Sequence, residues 1–166
     1  MALGRELVPL GLAARGPRLK TLVARRACAV SPRDAWNALR RFHGWMPTLD
    51  TVDATDLGHE ITDVGARFVV LMHEGLSLQC QITGLDKERS MRVSVHWRRL
   101  LRAELSYEIV ALPDGCELCH VRSYRGLVTR FLASVWRARE EEEQSAILRE
   151  WCWEAGTIAA LRRYAT

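Results

Sequence analysis

The chain has 166 residues, of which 48% are hydrophobic and 27% are charged, and its formal net charge is +4. This balance is typical of an ordinary globular domain that is long enough to bury a substantial core. Its arginines are scattered rather than gathered into a basic stripe, which argues against a nucleic-acid-binding surface. No apolar run reaches the roughly 18 residues of a membrane helix, so we expect no transmembrane segment.

The first residues form neither a secretion signal nor a folded element by their pattern. Their apolar centre is short and is broken by Pro9 and Gly11, so we interpret residues 1–17 as a flexible extension and 18–166 as one domain. The five cysteines are odd in number and irregular in spacing. This count argues against a disulfide framework and favours a reducing, cytoplasmic location.

A strand and a clearly signalled helix open the domain. Alternation of apolar residues predicts a strand over Leu19–Val30. Ser31 then offers an N-cap oxygen, Pro32 suits the first helical position, and Asp34 stands where a capping-box acid belongs. The pattern predicts a helix over Pro32–Arg41 and, after it, a short second helical turn that ends at Pro47.

Short segments of period two follow, separated by turns. The clearest has Leu78, Cys80 and Ile82 alternating with polar residues, and Pro113-Asp114-Gly115 supplies the last turn. The apolar density of Arg67–His73 favours a strand near the sheet centre. The further predicted strands are Asp50–Leu57, Arg67–His73, Leu76–Thr83, Met91–Arg98, Glu104–Ile109 and Cys116–Tyr124. Sequential strands with short turns indicate an antiparallel meander.

The last forty residues, Leu127–Thr166, have helical character. Apolar residues recur there at a spacing of three to four, but the polar stretch Arg139–Gln144 interrupts them. Two interpretations stay open at this point. Either the polar stretch faces into the fold, or one helix ends there and another begins.

The order of these elements, together with several short motifs, resembles the helix-grip fold of the START-like superfamily, and most closely its polyketide cyclase/dehydrase and lipid-transport branch. The motifs are Ser31-Pro32-x-x-Ala35-Trp36, Phe42-x-x-Trp45-x-Pro47, Gly65, Leu85-Asp86 and Asp114-Gly115-Cys116-x-Leu118. The resemblance implies an α+β fold: a curved antiparallel sheet of about seven strands wrapped around a long C-terminal helix, with two short helices between strands 1 and 2. Many relatives carry a glutamate near the position of Cys80, and this chain does not.

A C-x-x-C-H motif, Cys116 to His120, matches the pattern for covalent haem attachment. In a strand, however, Cys116 and Cys119 point to opposite faces. A zinc site would need further ligands at a second paired spacing, which the sequence lacks. We therefore expect neither a metal nor a cofactor.

The inward face of the last predicted strand carries the candidate chemistry. There His120 would act as general acid–base and Arg122 would hold an enolate or carboxylate. Tyr107 on the preceding strand, or Tyr124, would donate a hydrogen bond to a substrate oxygen. A buried arginine needs an anionic partner, and Glu140, Glu143 or the ligand itself could supply it. In the alternative interpretation His120 is a satisfied core histidine and Arg122 forms a surface pair.

The remaining candidates are ligand-binding residues, expected to line a cavity between sheet and helix. They are Trp45, Val70, Met72, Leu78, Cys80, Val95, Trp97, Tyr124, Trp136 and Glu143.

Two functions fit this pocket. The first is binding of a small hydrophobic, aromatic or polyketide-like molecule followed by cyclisation or dehydration through proton transfer. The second is a non-catalytic carrier or sensor of a lipid, quinone or other apolar molecule. Whether the protein is an enzyme stays open, because the fold does not determine the function. A protein-binding module that uses the N-terminal segment is a third hypothesis, and a homodimer is compatible with all three.

Overall fold

The computed structural model describes residues 20–46, 51–53, 60–71, 77–98, 101–125 and 137–165. Its described part is an α+β fold with an open, curved antiparallel sheet and a C-terminal helix. The elements are β1 (Lys20–Cys28), α1 (Pro32–Leu39), a 3-10 helix (Phe42–Gly44), β2 (Thr51–Asp53), β3 (Arg67–Leu71), β4 (Ser77–Asp86), β5 (Ser90–Trp97), β6 (Leu101–Leu112), β7 (Gly115–Arg125) and α2 (Arg137–Tyr164). The predicted extension 1–17 lies outside the described residues.

Helix α1 begins as its sequence predicts. The Ser31 side chain accepts a hydrogen bond from the Asp34 backbone N–H at 3.2 Å, and its hydroxyl donates to the Asp34 carboxylate at 2.6 Å. Pro32 lies in the first turn, where its missing N–H costs nothing. The helix ends at Leu39, and the 3-10 helix follows, so the two short helices between β1 and β2 are confirmed.

The strands pair in the order β1-β7-β6-β5-β4-β3-β2, and every neighbouring pair is antiparallel. Six strands have five or more residues. A total of about seven is reached only by counting the three-residue edge strand β2. Strand β3 lies next to this edge, so its predicted place near the sheet centre is wrong. Its apolar residues are explained by burial against the core, where Phe68 and Val70 lie.

One face of the sheet is packed and the other faces water. In β5 the residues Met91, Val93 and Val95 are buried. Of their partners on β6, Tyr107 and Ala103 are buried too, and Leu105 is half-buried against the core. The alternation follows from the pleat of a strand, which turns successive side chains to opposite faces. This inner face is the side on which α2 packs.

Helix α2 is continuous through the polar stretch, which settles the alternative that the sequence leaves open. Glu140 and Gln144 are buried, whereas Glu141 and Glu142 are exposed. The buried residues Ile147, Leu148, Trp151 and Ala155 continue the same face at helical spacing. The polar stretch therefore faces into the fold with two side chains and into solvent with two others.

The C-terminal part of α2 is fastened to α1 and β1 by three contacts. The Trp151 indole N–H donates to the Ala35 carbonyl at 2.8 Å, and Arg162 donates to the Asp34 carboxylate at 2.9 Å. The third contact is a disulfide between Cys28 and Cys152. These ties set the angle at which α2 crosses the sheet.

The disulfide corrects the expectation from the cysteine count. Cys28 at the end of β1 and Cys152 on α2 have Cα atoms 5.8 Å apart, within the range that a disulfide spans. An odd total is compatible with one bridge, because Cys80, Cys116 and Cys119 stay free. The cysteine argument for a reducing, cytoplasmic location therefore loses its premise, and the location stays a prediction. No helix in the described residues is long and apolar enough to cross a membrane.

Candidate functional site

The inner face of β7 carries a row of polar side chains beneath α2. Cys116 and Leu118 are fully buried at the start of this face, and His120, Arg122 and Tyr124 follow at every second residue. Strand β6 runs alongside in register, with Tyr107 opposite His120. The predicted inward orientation of these residues is confirmed. It follows from the uninterrupted period of two in β7.

His120 is buried against an aromatic ring. Its exposed fraction is 0%, and its imidazole stacks on the Tyr107 ring with centroids 4.5 Å apart and planes within 9°. The Trp151 ring packs edge to face against the same Tyr107 ring, with centroids 6.0 Å apart. Burial, with the Arg122 charge adding to it, holds the pKa of His120 well below its usual value. His120 is therefore a neutral imidazole at physiological pH.

Neither ring nitrogen of His120 has a hydrogen-bond partner. This distinguishes it from the satisfied core histidine of the alternative interpretation. A neutral imidazole carries one N–H donor and one acceptor lone pair. Both remain available in the site.

Arg122 has its anionic partner on α2. Its guanidinium is 3.3 Å from the Glu143 carboxylate, and the side chains are 11% and 23% exposed. Burial raises the pKa of Tyr124 to about 12, so its hydroxyl stays protonated and can donate. Tyr124 also interacts with both Arg122 and Glu140, which lower and raise its pKa respectively. The Arg122–Glu143 pair matches the alternative interpretation in its partner, but it is half-buried rather than fully exposed on the surface.

Gln144 is a further buried polar residue on the inward face of α2, and the sequence reasoning missed it. Its side chain is 2% exposed, and its amide nitrogen has no partner. It lies next to Glu143, which contacts Arg122, and two turns before Trp151, which contacts Tyr107. The stripe of buried positions 140, 144, 147, 148 and 151 could have identified it, because a polar residue within an apolar helical stripe is turned toward the core.

The predicted lining residues other than Tyr124 and Glu143 fall into three groups. Val70, Cys80 and Val95 are buried on the inner face. Trp45, Leu78 and Trp97 are half-buried, and Met72 and Trp136 lie outside the described residues. The Trp45 indole donates to the Ala38 carbonyl at 2.7 Å, so Trp45 also ties its segment to α1.

The C-x-x-C-H motif lies within β7, as predicted. Cys116 is on the inner face, whereas Cys119 is on the outer face between its register partners Arg25 and Glu108. Burial raises the pKa of Cys116 to about 11, which keeps its thiol protonated. The described residues contain no group of three metal-ligating side chains.

The cluster as a whole offers mainly hydrogen-bond donors. Arg122 Nε and Gln144 Nε2 are buried without partners and can only donate, and His120 adds one N–H. Such a set can hold a ligand oxygen. It can also stabilise negative charge that develops on that oxygen.

No protein-family model matches the chain, and no curated protein matches its sequence. Solved structures do share its fold. Hypothetical protein jhp0584 from Helicobacter pylori is 12% identical at a TM-score of 0.69, covering 90% of this chain and 99% of that one. Protein MLL2253 from Mesorhizobium loti is 18% identical at 0.60, with 85% and 97% covered. DynU16, from the dynemicin biosynthetic locus, is 11% identical at 0.62. That match covers 82% of this chain, which spans 47% of DynU16. Likenesses at these identities show the fold alone.

Proposed function

We propose that this chain is a helix-grip domain of the START-like kind and that it binds a small, mostly apolar molecule between the inner face of the sheet and α2. The observation that carries the proposal is His120, which is fully buried with both ring nitrogens unpartnered. The polar end of the ligand would lie against His120, Arg122 and Gln144.

The energetic reason is the cost of unmet hydrogen bonds. Most buried polar atoms in folded proteins have partners, and each unmet one costs about 1–3 kcal/mol. This cluster holds four such nitrogens on His120, Arg122 and Gln144. A bound molecule that supplies partners would recover part of that cost, which gives it a reason to bind at this place.

Short side chains next to the cluster favour room for the apolar body. Cys80, Val95 and Ala103 stand in register across β4, β5 and β6, and Tyr124 continues the same row on β7. The three residues are small, and Cys80 stands near the position where many START-like relatives carry a glutamate. A mostly aliphatic surface of this kind suits an apolar or aromatic molecule.

Filling this row tests the proposal without knowledge of the ligand. Ala103→Leu adds bulk on the inner face of β6, and Val110→Leu adds it on the exposed outer face of the same strand. We expect native mass spectrometry of protein from its own host to show a bound small molecule in the wild type and in Val110→Leu but not in Ala103→Leu. Chemical denaturation should show Ala103→Leu to be as stable as the wild type.

A packed interior would give the opposite stability result. Overpacking a filled core costs about 1–3 kcal/mol. If Ala103→Leu loses that much stability while the wild type carries no added mass, the inner face is filled and the binding proposal fails.

Proton transfer is the second candidate function, and the stacking of His120 on Tyr107 beside donor groups favours it. The His120 lone pair would take a proton from the carbon next to a ligand carbonyl, and the bonding electrons would move to the oxygen. Arg122 Nε and Gln144 would then donate to this enolate oxygen. The imidazolium formed would be buried and would lie beside the Arg122 charge. Burial is the larger and the Arg122 charge the smaller cause of the low pKa of His120, and both disfavour the imidazolium. For this reason binding is the better supported function.

Deuterium exchange tests this second function with a simple probe. The methyl protons of 2-acetonaphthone exchange with D2O through the enolate, and NMR follows their loss. We expect the wild type and His96→Gln, a variant of a half-buried histidine on β5, to accelerate the exchange, and His120→Phe to lack the effect. Exchange at the buffer rate with bound ketone would reject proton transfer and leave binding intact.

A further inference from the structure

The partners that the site lacks are mainly acceptors. Arg122 Nε and Gln144 Nε2 can only donate, and His120 offers one donor and one acceptor. Three donors therefore face one acceptor among the unpartnered atoms. An oxygen with two lone pairs and no proton, such as a carbonyl oxygen, matches this set better than an alkyl group or an amine.

The charge of the site excludes the most obvious acceptor, a carboxylate. The Arg122 guanidinium is already paired with Glu143 at 3.3 Å, and His120 is neutral. The cluster of described residues thus has donors but no uncompensated cation, and Glu143 itself is an acid next to them. Bringing a second anion into this place would require its desolvation without a new charge partner, which is strongly unfavourable.

The surroundings of the donors are aromatic. The Tyr107 ring covers one face of His120 at 4.5 Å, and Trp151 packs against Tyr107 at 6.0 Å. A ligand that reaches the donors therefore does so beside flat apolar side chains. Buried apolar surroundings of this kind have a low local dielectric, which strengthens a neutral hydrogen bond.

We propose that the ligand presents a neutral carbonyl oxygen, that of a ketone, ester or quinone, to the side chains of His120, Gln144 and Arg122, and that the site discriminates against the corresponding carboxylate. This inference rests on the proposed binding function and names the chemical class that the site selects. It assigns to Gln144 a direct role in recognising the ligand. It also makes Glu143 a specificity residue, because Glu143 neutralises the arginine.

Three probes with one skeleton separate the alternatives. They are 2-acetonaphthone with a neutral carbonyl, 2-naphthoate with a carboxylate, and 2-ethylnaphthalene with no oxygen. Titration calorimetry at pH 7 should give the ketone a Kd about five- to tenfold lower than that of the hydrocarbon, the range of one or two neutral hydrogen bonds. The naphthoate should bind more weakly than both.

Variants of the donors should remove the preference for the ketone. In Gln144→Met and His120→Phe, the Kd values of ketone and hydrocarbon should lie within about twofold of each other. Gln79→Met, on the exposed side of β4, is the matched control and should keep the full preference. Glu143→Gln should release the Arg122 charge and raise the affinity for naphthoate at least tenfold.

The outcomes separate this inference from the proposed function. Equal affinity of the wild type for ketone and hydrocarbon, or tightest binding of naphthoate, overturns the carbonyl assignment and leaves the binding function standing. Failure of all three probes to bind removes both. If His120→Phe does not fold, two measurements still test the carbonyl assignment. One is the Kd values of Gln144→Met, and the other is the 15N chemical shifts of the His120 ring in the wild type on addition of the ketone. Unchanged 15N shifts would count against the assignment.

Discussion

Removal of the Cys28–Cys152 bridge should be one of the most damaging changes to this protein. The two cysteines are 124 residues apart, so the bridge closes nearly the whole described chain into one loop. In the chain-entropy model a loop of this length restricts the unfolded state by about 5 kcal/mol at 25 °C. That amount is comparable to the entire stability of many domains of this size. Cys152→Ser should therefore lower the free energy of unfolding by about 3–5 kcal/mol.

Urea unfolding with and without a phosphine reductant measures this difference. The reductant should shift the wild-type midpoint to that of Cys152→Ser and leave the variant unchanged. Cys119→Ala, which removes a free thiol on the outer face, should keep the full response to reductant. Wild-type protein in non-reducing denaturant should show three thiols, since three cysteines are free. Five thiols, or no effect of the reductant, would refute the bridge and its stabilising role.

Three further changes have expected results. Gly115→Ala should lower the free energy of unfolding by about 3 kcal/mol or more, because the φ of Gly115 is +149° and the added Cβ would meet the Cys28 carbonyl oxygen. Gly44→Ala has open space around its Cβ and should be nearly neutral. Equal urea midpoints of the two variants would contradict this expectation. The low pKa of folded His120 means that the unfolded chain binds more protons, so stability should fall by up to about 1.4 kcal/mol per pH unit below about 6.5. His120→Phe should lose this slope in urea titrations at several pH values and His96→Gln should keep it, and identical slopes would argue against a neutral imidazole. Burial raises the pKa of the Cys80 thiol from 9.0 to about 12. The free energy of unfolding should therefore fall as the pH rises between those values. A Cys80→Val variant that keeps the wild-type slope in this range would show that Cys80 is not the cause.

The local features of this protein are readable from its sequence. The alternation in β7 predicts which side chains share a face with His120, and the structure places them there. Ser31 and Pro32 predict the start of α1 to the residue, and the order of elements predicts an antiparallel sheet followed by a long helix. Each of these depends on residues close together in the chain, where propensity, capping and periodicity act directly.

The sequence left several questions about α2 open or answered them wrongly, because their answers depend on distant residues. Arg122 has Glu140, Glu143 or a ligand as candidate partners, and only the crossing of α2 over β7 selects Glu143. Gln144 carries no motif, yet its place on the buried face makes it part of the site. The cysteine count argued against the bridge that joins Cys28 to Cys152.

Periodicity and capping signals are enough to predict the main helices and strands, their order and the face of β7 that turns inward. The pairing of charges, the unpartnered donors and the bridge between Cys28 and Cys152 emerge only when the whole chain is folded. The former follow from backbone geometry over a few residues, whereas the latter follow from how α2 packs across the sheet. That packing is a sum of many weak contacts between residues far apart in the chain, such as Trp151 with Ala35.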